Sequence, residues 1–208
     1  MRKSRGFTLI EVLVVVSIIG LLVSITMPAF REARRLSRKT VCQKNLASIG
    51  LGMHAYLLTH RDTFPWACRL PSYEQTAADD AVPPRQPWVS LVEALKTEMA
   101  GKSEVYLCPA DLNTKMETVI PTRRYYDNEG LSYEWESKLN GMHLSFKHLS
   151  LFYDLLKVKP SDQRMLSDFE PFHGGDLRRG SLNCLYVDLH VQSDNWSPGS
   201  IIGGVTLP

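Results

Sequence analysis

One carboxylate, Glu11, stands at the start of an otherwise apolar N-terminal stretch. From Val12 to Phe30 there are 19 residues without a charge, close to the roughly 20 that a helix needs to cross the hydrocarbon layer of a membrane. An ionised side chain in hydrocarbon is disfavoured by about 2.5 kcal/mol or more, so it is normally retained for a function and has a partner. Glu11 is therefore the first functional-site hypothesis.

The four cysteines are the second group that could do chemistry. Cys42, Cys68, Cys108 and Cys184 show no Cys-x-x-Cys spacing, which gives a zinc site little support and leaves three complete disulfide pairings if the domain lies outside the cytoplasm. Cys42 lies on an apolar helix face and Cys184 alternates with Tyr186 in an expected strand, so both fit buried thiols. Cys68 and Cys108, in loop-like stretches, are the favoured disulfide.

Acidic and imidazole side chains concentrate towards the C-terminus and are expected to gather near one end of a sheet. They are Asp168, His173, Asp176, Asp188 and His190. Calcium takes six to eight oxygen ligands, which these carboxylates supply only in part, and histidine suits softer metals. Turn capping and ordinary hydrogen bonding are therefore the favoured roles, no residue is assigned as a metal ligand, no cofactor is expected, and calcium is the alternative.

Enzyme signatures and a nucleic-acid surface find no support. The sequence has no Gly-x-Ser-x-Gly, His-Glu-x-x-His, Ser-x-x-Lys or phosphate-binding glycine loop, although a scattered triad in a membrane-anchored enzyme is the minor alternative. Residues 45–208 hold 15 Lys and Arg against 20 Asp and Glu, which disfavours DNA binding. The basic segment 31–44 fits lipid headgroups. We expect a protein that is not an enzyme.

The element that carries Glu11 is predicted to be one long helix. Apolar residues recur at steps of three and four after the span: Cys42, Leu46, Ile49, Met53 and Tyr56. This period predicts an amphipathic helix that continues the apolar one. Pro28 should kink the helix without ending it. The helix is expected from Phe7 to about Thr59.

The remaining chain is predicted to form short helices and a small antiparallel sheet. After an irregular proline-rich stretch, 65–87, the segment 88–101 has a helical apolar stripe that ends at Gly101, and 145–157 is a second short helix. The segments 164–169 and 181–196 are predicted to be strands, the second as two runs that fold about Asp188 and Leu189 into a hairpin. The fold class is α+β.

The N-terminus resembles the class III signal of type IV pilins and type II secretion pseudopilins. The resemblance rests on Gly6-Phe7-Thr8-Leu9-Ile10-Glu11, a short basic leader before it and an uncharged span with Pro28 after it. It implies that a prepilin peptidase cuts between Gly6 and Phe7 and methylates the new amino group of Phe7. It also implies that Glu11 meets the N-terminal ammonium of a neighbouring subunit, and that Glu11 and Pro28 belong to the assembly segment.

A second resemblance covers most of the chain apart from residues 66–104. Segments such as "CQKNLASIGLGMHAYLLTHRDTFP", "LCPADLN" and "NCLYVDLHV" are similar to a pilin-like family that ends in His-x9-Asp-Gly. Here 14 residues lie between His173 and Asp188, instead of nine, and Leu189 replaces the glycine. Because leucine pays sterically for a positive φ, we expect a wider or different turn. A looser analogy with G-type pseudopilins, which hold calcium in a C-terminal loop, keeps calcium as the alternative.

Together these observations predict a type IV pilin-like fold, a long N-terminal helix packed on a small antiparallel sheet. The expected parts are a leader peptide at 1–6, the transmembrane half of the helix at 7–29, its amphipathic half at 30–60, and an α+β head at 61–208. The function implied is that of a structural subunit of a type IV pilus or a type II secretion pseudopilus. A minor pilin whose head binds a ligand or adheres, through Trp66 or Trp88, is the alternative.

The resemblance also implies partners and a location. The partners are copies of this chain in a filament, other pilin-like subunits, a prepilin peptidase, an assembly platform protein, a cytoplasmic ATPase and membrane lipid, with no nucleic acid. The location is the bacterial inner membrane, crossed once with the N-terminus in the cytoplasm and the head in the periplasm, and afterwards a periplasmic pseudopilus or a surface pilus. The basic residues after the span outnumber those before it, which alone would favour the opposite orientation.

Overall fold

The computed structural model describes residues 8–71, 89–111, 124–144, 159–169, 172–173 and 181–195. Five features expected from the sequence lie outside these ranges: Gly6, Phe7, Trp88, the helix at 145–157, and Asp176. The chain divides into two compact units, Met1–Ser37 and Arg38–Pro208.

The architecture is α+β, as predicted, with a long N-terminal helix and a small antiparallel sheet. The helices are α1 Leu9–Thr59, α2 Leu91–Ala94 and α3 Tyr125–Glu129. The strands are β1 Tyr133–Trp135, β2 Arg164–Asp168, β3 Ser181–Tyr186 and β4 Val191–Asn195. Single 3-10 turns lie at Glu104–Tyr106, Ser137–Leu139 and Pro160–Asp162.

Helix α1 is continuous over 51 residues and contains Pro28, so the proline does not end it. In the first unit its apolar side chains are exposed, and the helix is long and apolar enough to cross a membrane. In the second unit the predicted face is buried at Cys42, Leu46, Ile49, Met53 and Leu57, with Tyr56 half-buried. This face packs in the core with side chains from the sheet.

The sheet has the order β1-β2-β3-β4, and each neighbouring pair is antiparallel. Strands β2, β3 and β4 lie where the sequence predicts strands, and β2 and β3 are buried at successive positions rather than at alternate ones. Strand β1 was not predicted, because three residues between turns are too few to show a period of two. Its Tyr133 and Trp135 are nonetheless buried.

The β3–β4 hairpin is wider than a two-residue turn, as expected. Tyr186 donates its N–H to the carbonyl of His190 at 3.0 Å, and Leu189 donates to the carbonyl of Tyr186 at 2.9 Å, so three residues form the loop. Such loops place their last residue in the left-handed region, and Leu189 takes it with φ 72°. Its side chain packs on helix α1, where a Cβ on Gly50 would lie 3.6 Å from Leu189 Cδ2. That apolar contact helps to offset the steric cost.

The predicted helix at 88–101 is shorter than expected. Ser90 caps α2 by accepting the N–H of Glu93 at 3.1 Å, and the residues after α2 continue as turns. The predicted stripe is buried at Leu91, Leu95 and Met99. The apolar period therefore located the buried face correctly but overstated the helix length.

Candidate functional site

Thr8 and Glu11 form a capping box at the first turn of helix α1. Glu11 Oε2 accepts the backbone N–H of Thr8 at 2.8 Å and its hydroxyl at 2.7 Å. In return, Glu11 donates its N–H to Thr8 Oγ1 at 3.4 Å. A Thr at the N-cap with a Glu three residues later is the signature of this arrangement. Sequence reasoning missed it, although the Thr-Leu-Ile-Glu spacing could have revealed it.

The capping box changes how the charge of Glu11 is satisfied. Within one chain, its carboxylate already has two donors and lies at the positive end of the helix dipole. The role of Glu11 in meeting another subunit stays a prediction, as does cleavage between Gly6 and Phe7, which lie outside the described residues. Glu11 is therefore held at the helix start before any partner is present.

The hydroxyls within the apolar part of α1 are satisfied by the helix itself. Ser17 donates to the carbonyl of Leu13 at 2.8 Å, and Ser24 donates to that of Leu21 at 2.7 Å. Polar groups in hydrocarbon are costly unless they are hydrogen-bonded. These two hydrogen bonds therefore lower the cost of placing the hydroxyl groups in lipid.

The basic segment that follows the span carries local side-chain contacts. Arg35 Nη2 lies 2.6 Å from Glu32 Oε1, and the Arg34 guanidinium carbon lies 5.4 Å from the centre of the Phe30 ring. Exposed pairs of this kind contribute about 0–1 kcal/mol. The contacts are weak, and the segment still carries six basic residues against one Glu.

The disulfide joins Cys42 to Cys108, so the predicted pair of Cys68 and Cys108 is wrong. The buried face of α1 brings Cys42 against the loop after the 104–106 turn. Cys68 is instead a half-buried thiol that donates to the carbonyl of Val89 at 3.3 Å, and burial raises its pKa. Cys184 is a buried thiol, as predicted.

The expected gathering of acidic and imidazole groups at one end of the sheet holds for Asp168 and His173 but not for Asp188 and His190. Asp168 ends β2, where Ser167 pairs with Cys184. Asp188 lies in the hairpin turn beyond Tyr186, which pairs with the opposite end of β2. The turn holds its own pair, with Asp188 Oδ1 at 2.5 Å from His190 Nδ1. Neighbouring antiparallel strands run in opposite directions, so the C-terminal ends of two successive strands lie at opposite ends of the sheet.

The disulfide lies instead beside a buried His and Asp. His173 Nε2 is 3.4 Å from Cys108 Sγ and 3.6 Å from Asp168 Oδ2. Asn183 donates its N–H to the same Asp168 oxygen at 2.8 Å. Burial raises the pKa of Asp168 to about 8, against the opposing effects of the Asn183 hydrogen bonds and the positive charge of Lys39. We call Cys42, Cys108, Asp168 and His173 the disulfide cluster.

A second set of hydrogen bonds fixes the loop that carries Cys108. Ser132 donates its hydroxyl to Asp111 Oδ2 at 2.7 Å and accepts the N–H of Cys108 at 3.1 Å. Asp111 also accepts the backbone N–H groups of Tyr125 and Tyr126 at 3.1 and 3.0 Å. Sequence reasoning missed these residues, because nothing in their local spacing connects them.

Trp66, proposed as part of an adhesive surface, is half-buried. Its ring lies against Gly141, where a Cβ would come within 2.4 Å of Trp66 Cζ2. In this contact the Trp66 ring packs against the backbone of the chain. Trp88 lies outside the part of the chain that the structure describes.

Comparison with known proteins gives two matches along the chain. Residues 1–27 match the model of the prokaryotic N-terminal methylation motif. Residues 31–145 match the model of a family described as a protein of unknown function, DUF1559. No curated protein and no solved structure matches the chain.

Proposed function

Because the chain belongs to the DUF1559 family and begins with a prokaryotic N-terminal methylation motif, we propose that it is a prepilin-type structural subunit. A prepilin peptidase cuts it between Gly6 and Phe7 and methylates the new amino group. The mature chain then assembles into a type IV pilus or a type II secretion pseudopilus. Its role is mechanical.

The observation that carries the proposal is the methylation motif on a helix suited to a membrane. The motif covers residues 1–27. Helix α1 begins at Leu9, and its most apolar stretch of 18 residues is not buried. A helix of this kind can leave lipid only for another apolar environment. Packing against the same helix of other subunits supplies one.

Glu11 is the residue that sets the stagger in which helices of neighbouring subunits pack. Its carboxylate is capped by Thr8 in the single chain, and in a filament it can also face the methylated ammonium of Phe7 on a neighbour. In a low dielectric this attraction is strong at contact distance and an unpaired charge is costly. Only one stagger of adjacent helices satisfies both groups.

The proposal places the chain in the inner membrane with the head in the periplasm until it enters a filament. Other pilin-like subunits, a platform protein and a cytoplasmic ATPase are its partners in assembly. The disulfide between Cys42 and Cys108 supports a location for the head outside the reducing cytoplasm.

A mass spectrum of the protein extracted from membranes tests the processing step. The expected species starts at N-methylated Phe7, and a Gly6→Val variant, with a branched side chain at the cut site, is expected to retain the leader. Detection of an intact Met1 terminus on the unaltered chain in a host with an active prepilin peptidase would overturn the proposal.

A further inference from the structure

Besides its two sulfurs, the disulfide cluster contains two further side chains that can bind a metal ion. Its members come from helix α1, the loop after the 104–106 turn, the end of β2 and the turn beyond it, and each is at most 1% exposed. The ligand atoms of Cys42, Cys108 and His173 lie within 4.8 Å of one another. A buried histidine and a buried carboxyl beside two sulfurs are the ligand types of a tetrahedral zinc site.

We infer that the disulfide cluster is a zinc site when its two cysteines are reduced. Zinc binds thiolate at about 2.3 Å, imidazole at about 2.0–2.1 Å and carboxylate at about 2.0–2.2 Å in a tetrahedron. The ligands are two thiolates, one imidazole nitrogen and one carboxylate oxygen. The disulfide and the metal are alternative cross-links between helix α1 and the loop that carries Cys108.

Two of the observed spacings are close to those of a tetrahedron around such an ion. With these bond lengths, a sulfur and a nitrogen ligand stand about 3.6 Å apart, and a nitrogen and an oxygen ligand about 3.4 Å apart. His173 Nε2 lies 3.4 Å from Cys108 Sγ and 3.6 Å from Asp168 Oδ2. One nitrogen therefore already lies near both neighbours, but the two sulfurs must separate and Asp168 must come closer to them before all four groups can bind one ion.

Asp168 adds a buried carboxyl group to the potential ligands of this cluster. Its Oδ2 accepts the N–H of Asn183, whereas its Oδ1 is buried without a hydrogen-bond partner among the described residues. A buried polar atom that makes no hydrogen bond costs free energy. A cation bound to this carboxylate would remove that cost.

The chemical steps balance with named reagents. A dithiol reduces the disulfide by two electrons and becomes a disulfide itself, which leaves two thiols on Cys42 and Cys108. Zinc then displaces the two thiol protons, which pass to solvent. Because binding releases protons, the affinity should rise with pH.

The proposal does not depend on the filament role and is tested on the full chain in detergent. The chain is reduced with a phosphine, freed of reductant under argon, and titrated with Co2+, whose absorption reports thiolate ligands and tetrahedral geometry. We expect one equivalent of Co2+ with thiolate charge-transfer bands and tetrahedral ligand-field bands, displaced by one equivalent of Zn2+. The oxidised chain should show neither set of bands.

Substitutions locate the site. The His173→Ala variant should weaken binding by about tenfold or more, since even the loss of an outer partner of a metal ligand costs that much. Cys68→Ser and Cys184→Ser, which remove thiols outside the disulfide cluster, should leave the spectrum unchanged. Far-UV circular dichroism checks that each variant is folded.

Three results would overturn the inference. They are a reduced wild-type chain that binds no Co2+, binding that persists unchanged in Cys42→Ser, and bands that disappear with Cys68→Ser. If the reduced chain unfolds, Zn2+ should restore its circular dichroism, and failure to do so also counts against the site. The comparison of oxidised and reduced wild-type chains needs no variant to fold.

Discussion

Thr8 and Glu11 are bound to each other across the first turn of helix α1, with one carboxylate oxygen of Glu11 accepting both the N–H and the hydroxyl of Thr8. This contact gives Glu11 a role within the single chain, as half of a helix cap. It is distinct from the role proposed for Glu11 between subunits. The two roles can be separated, because only the first involves Thr8.

Replacing each residue in turn separates capping from assembly. Thr8→Ala should cost about 1 kcal/mol of stability at the helix terminus, as the loss of an N-cap does, but should still allow filaments to form. Glu11→Ala removes the cap and the charge that faces the neighbour, so filaments should be absent or out of register. Filaments sheared from cells and detected by immunoblot measure the difference.

The control is the N-terminal mass of each variant, because assembly is comparable only when both chains are cut and methylated. Equal loss of filaments in Thr8→Ala and Glu11→Ala would mean that Glu11 acts through the helix cap alone. Normal filaments from Glu11→Ala would remove the intersubunit pair from the proposal.

The disulfide between Cys42 and Cys108 is expected to be a large contribution to stability. It closes a loop over a sequence separation of 66, for which the chain-entropy model gives about 4 kcal/mol. The double variant Cys42→Ser, Cys108→Ser should therefore unfold at a clearly lower denaturant concentration, measured by fluorescence of the full chain in detergent with metal excluded.

The matched control is Cys68→Ser, which removes a half-buried thiol outside the disulfide and should change the midpoint little. A non-reduced peptide map should show Cys42 linked to Cys108. A peptide linking Cys68 to Cys108 would instead contradict the structure.

The contribution of Asp168 to stability should fall as pH rises from about 4 to about 8. Burial raises the pKa of Asp168 from 3.8 to about 8, so in this window the folded chain keeps a proton that the unfolded chain has lost. The folded state binds more protons, and its free energy of unfolding decreases with pH. The groups that face Asp168 or act on its charge are His173, Asn183, Lys39 and Asp111.

Asp168→Asn should flatten this pH dependence, because an amide does not titrate. Asp188→Asn, which changes a carboxylate in the exposed hairpin turn, is the matched control and should leave the slope in place. Unfolding curves of the oxidised chain at several pH values measure both. An Asp168→Asn variant whose slope equals that of the unaltered chain would contradict the raised pKa.

Among the glycines with positive φ in the described ranges, Gly141 is expected to be the least replaceable. Its φ is 67°, and a Cβ there would lie 2.4 Å from Trp66 Cζ2, whereas Gly101, at φ 71°, has open space around it. Gly101→Ala should cost about 1 kcal/mol from the left-handed backbone alone. Gly141→Ala should cost more, because a rigid indole ring must also move.

Denaturant unfolding of the two alanine variants provides the measurement. Similar midpoints would show that Trp66 moves freely. A Trp66→Ala background should bring the two costs together, because it removes the ring that the new methyl group meets.

The helix and most of the sheet could be read from the sequence because their signals are local. The apolar period that includes Leu46 and Met53 marked the buried face of α1, and runs of strand-forming residues marked β2 to β4. The turn at Leu189 was expected to be wider, since a leucine carries a steric cost in the left-handed region. Strand β1 was too short to give a period.

The sequence by itself determined the N-terminal motif, the long helix with Glu11 at its start, and the α+β class, because each depends on spacing within a few turns or strands. Only the tertiary structure decided which cysteine meets Cys108, and that His173 and Asp168 lie beside it while Asp188 does not. Those contacts join residues far apart in the chain, and they depend on the face that α1 presents and on strand register. Neither is encoded in the local spacing of the residues that meet.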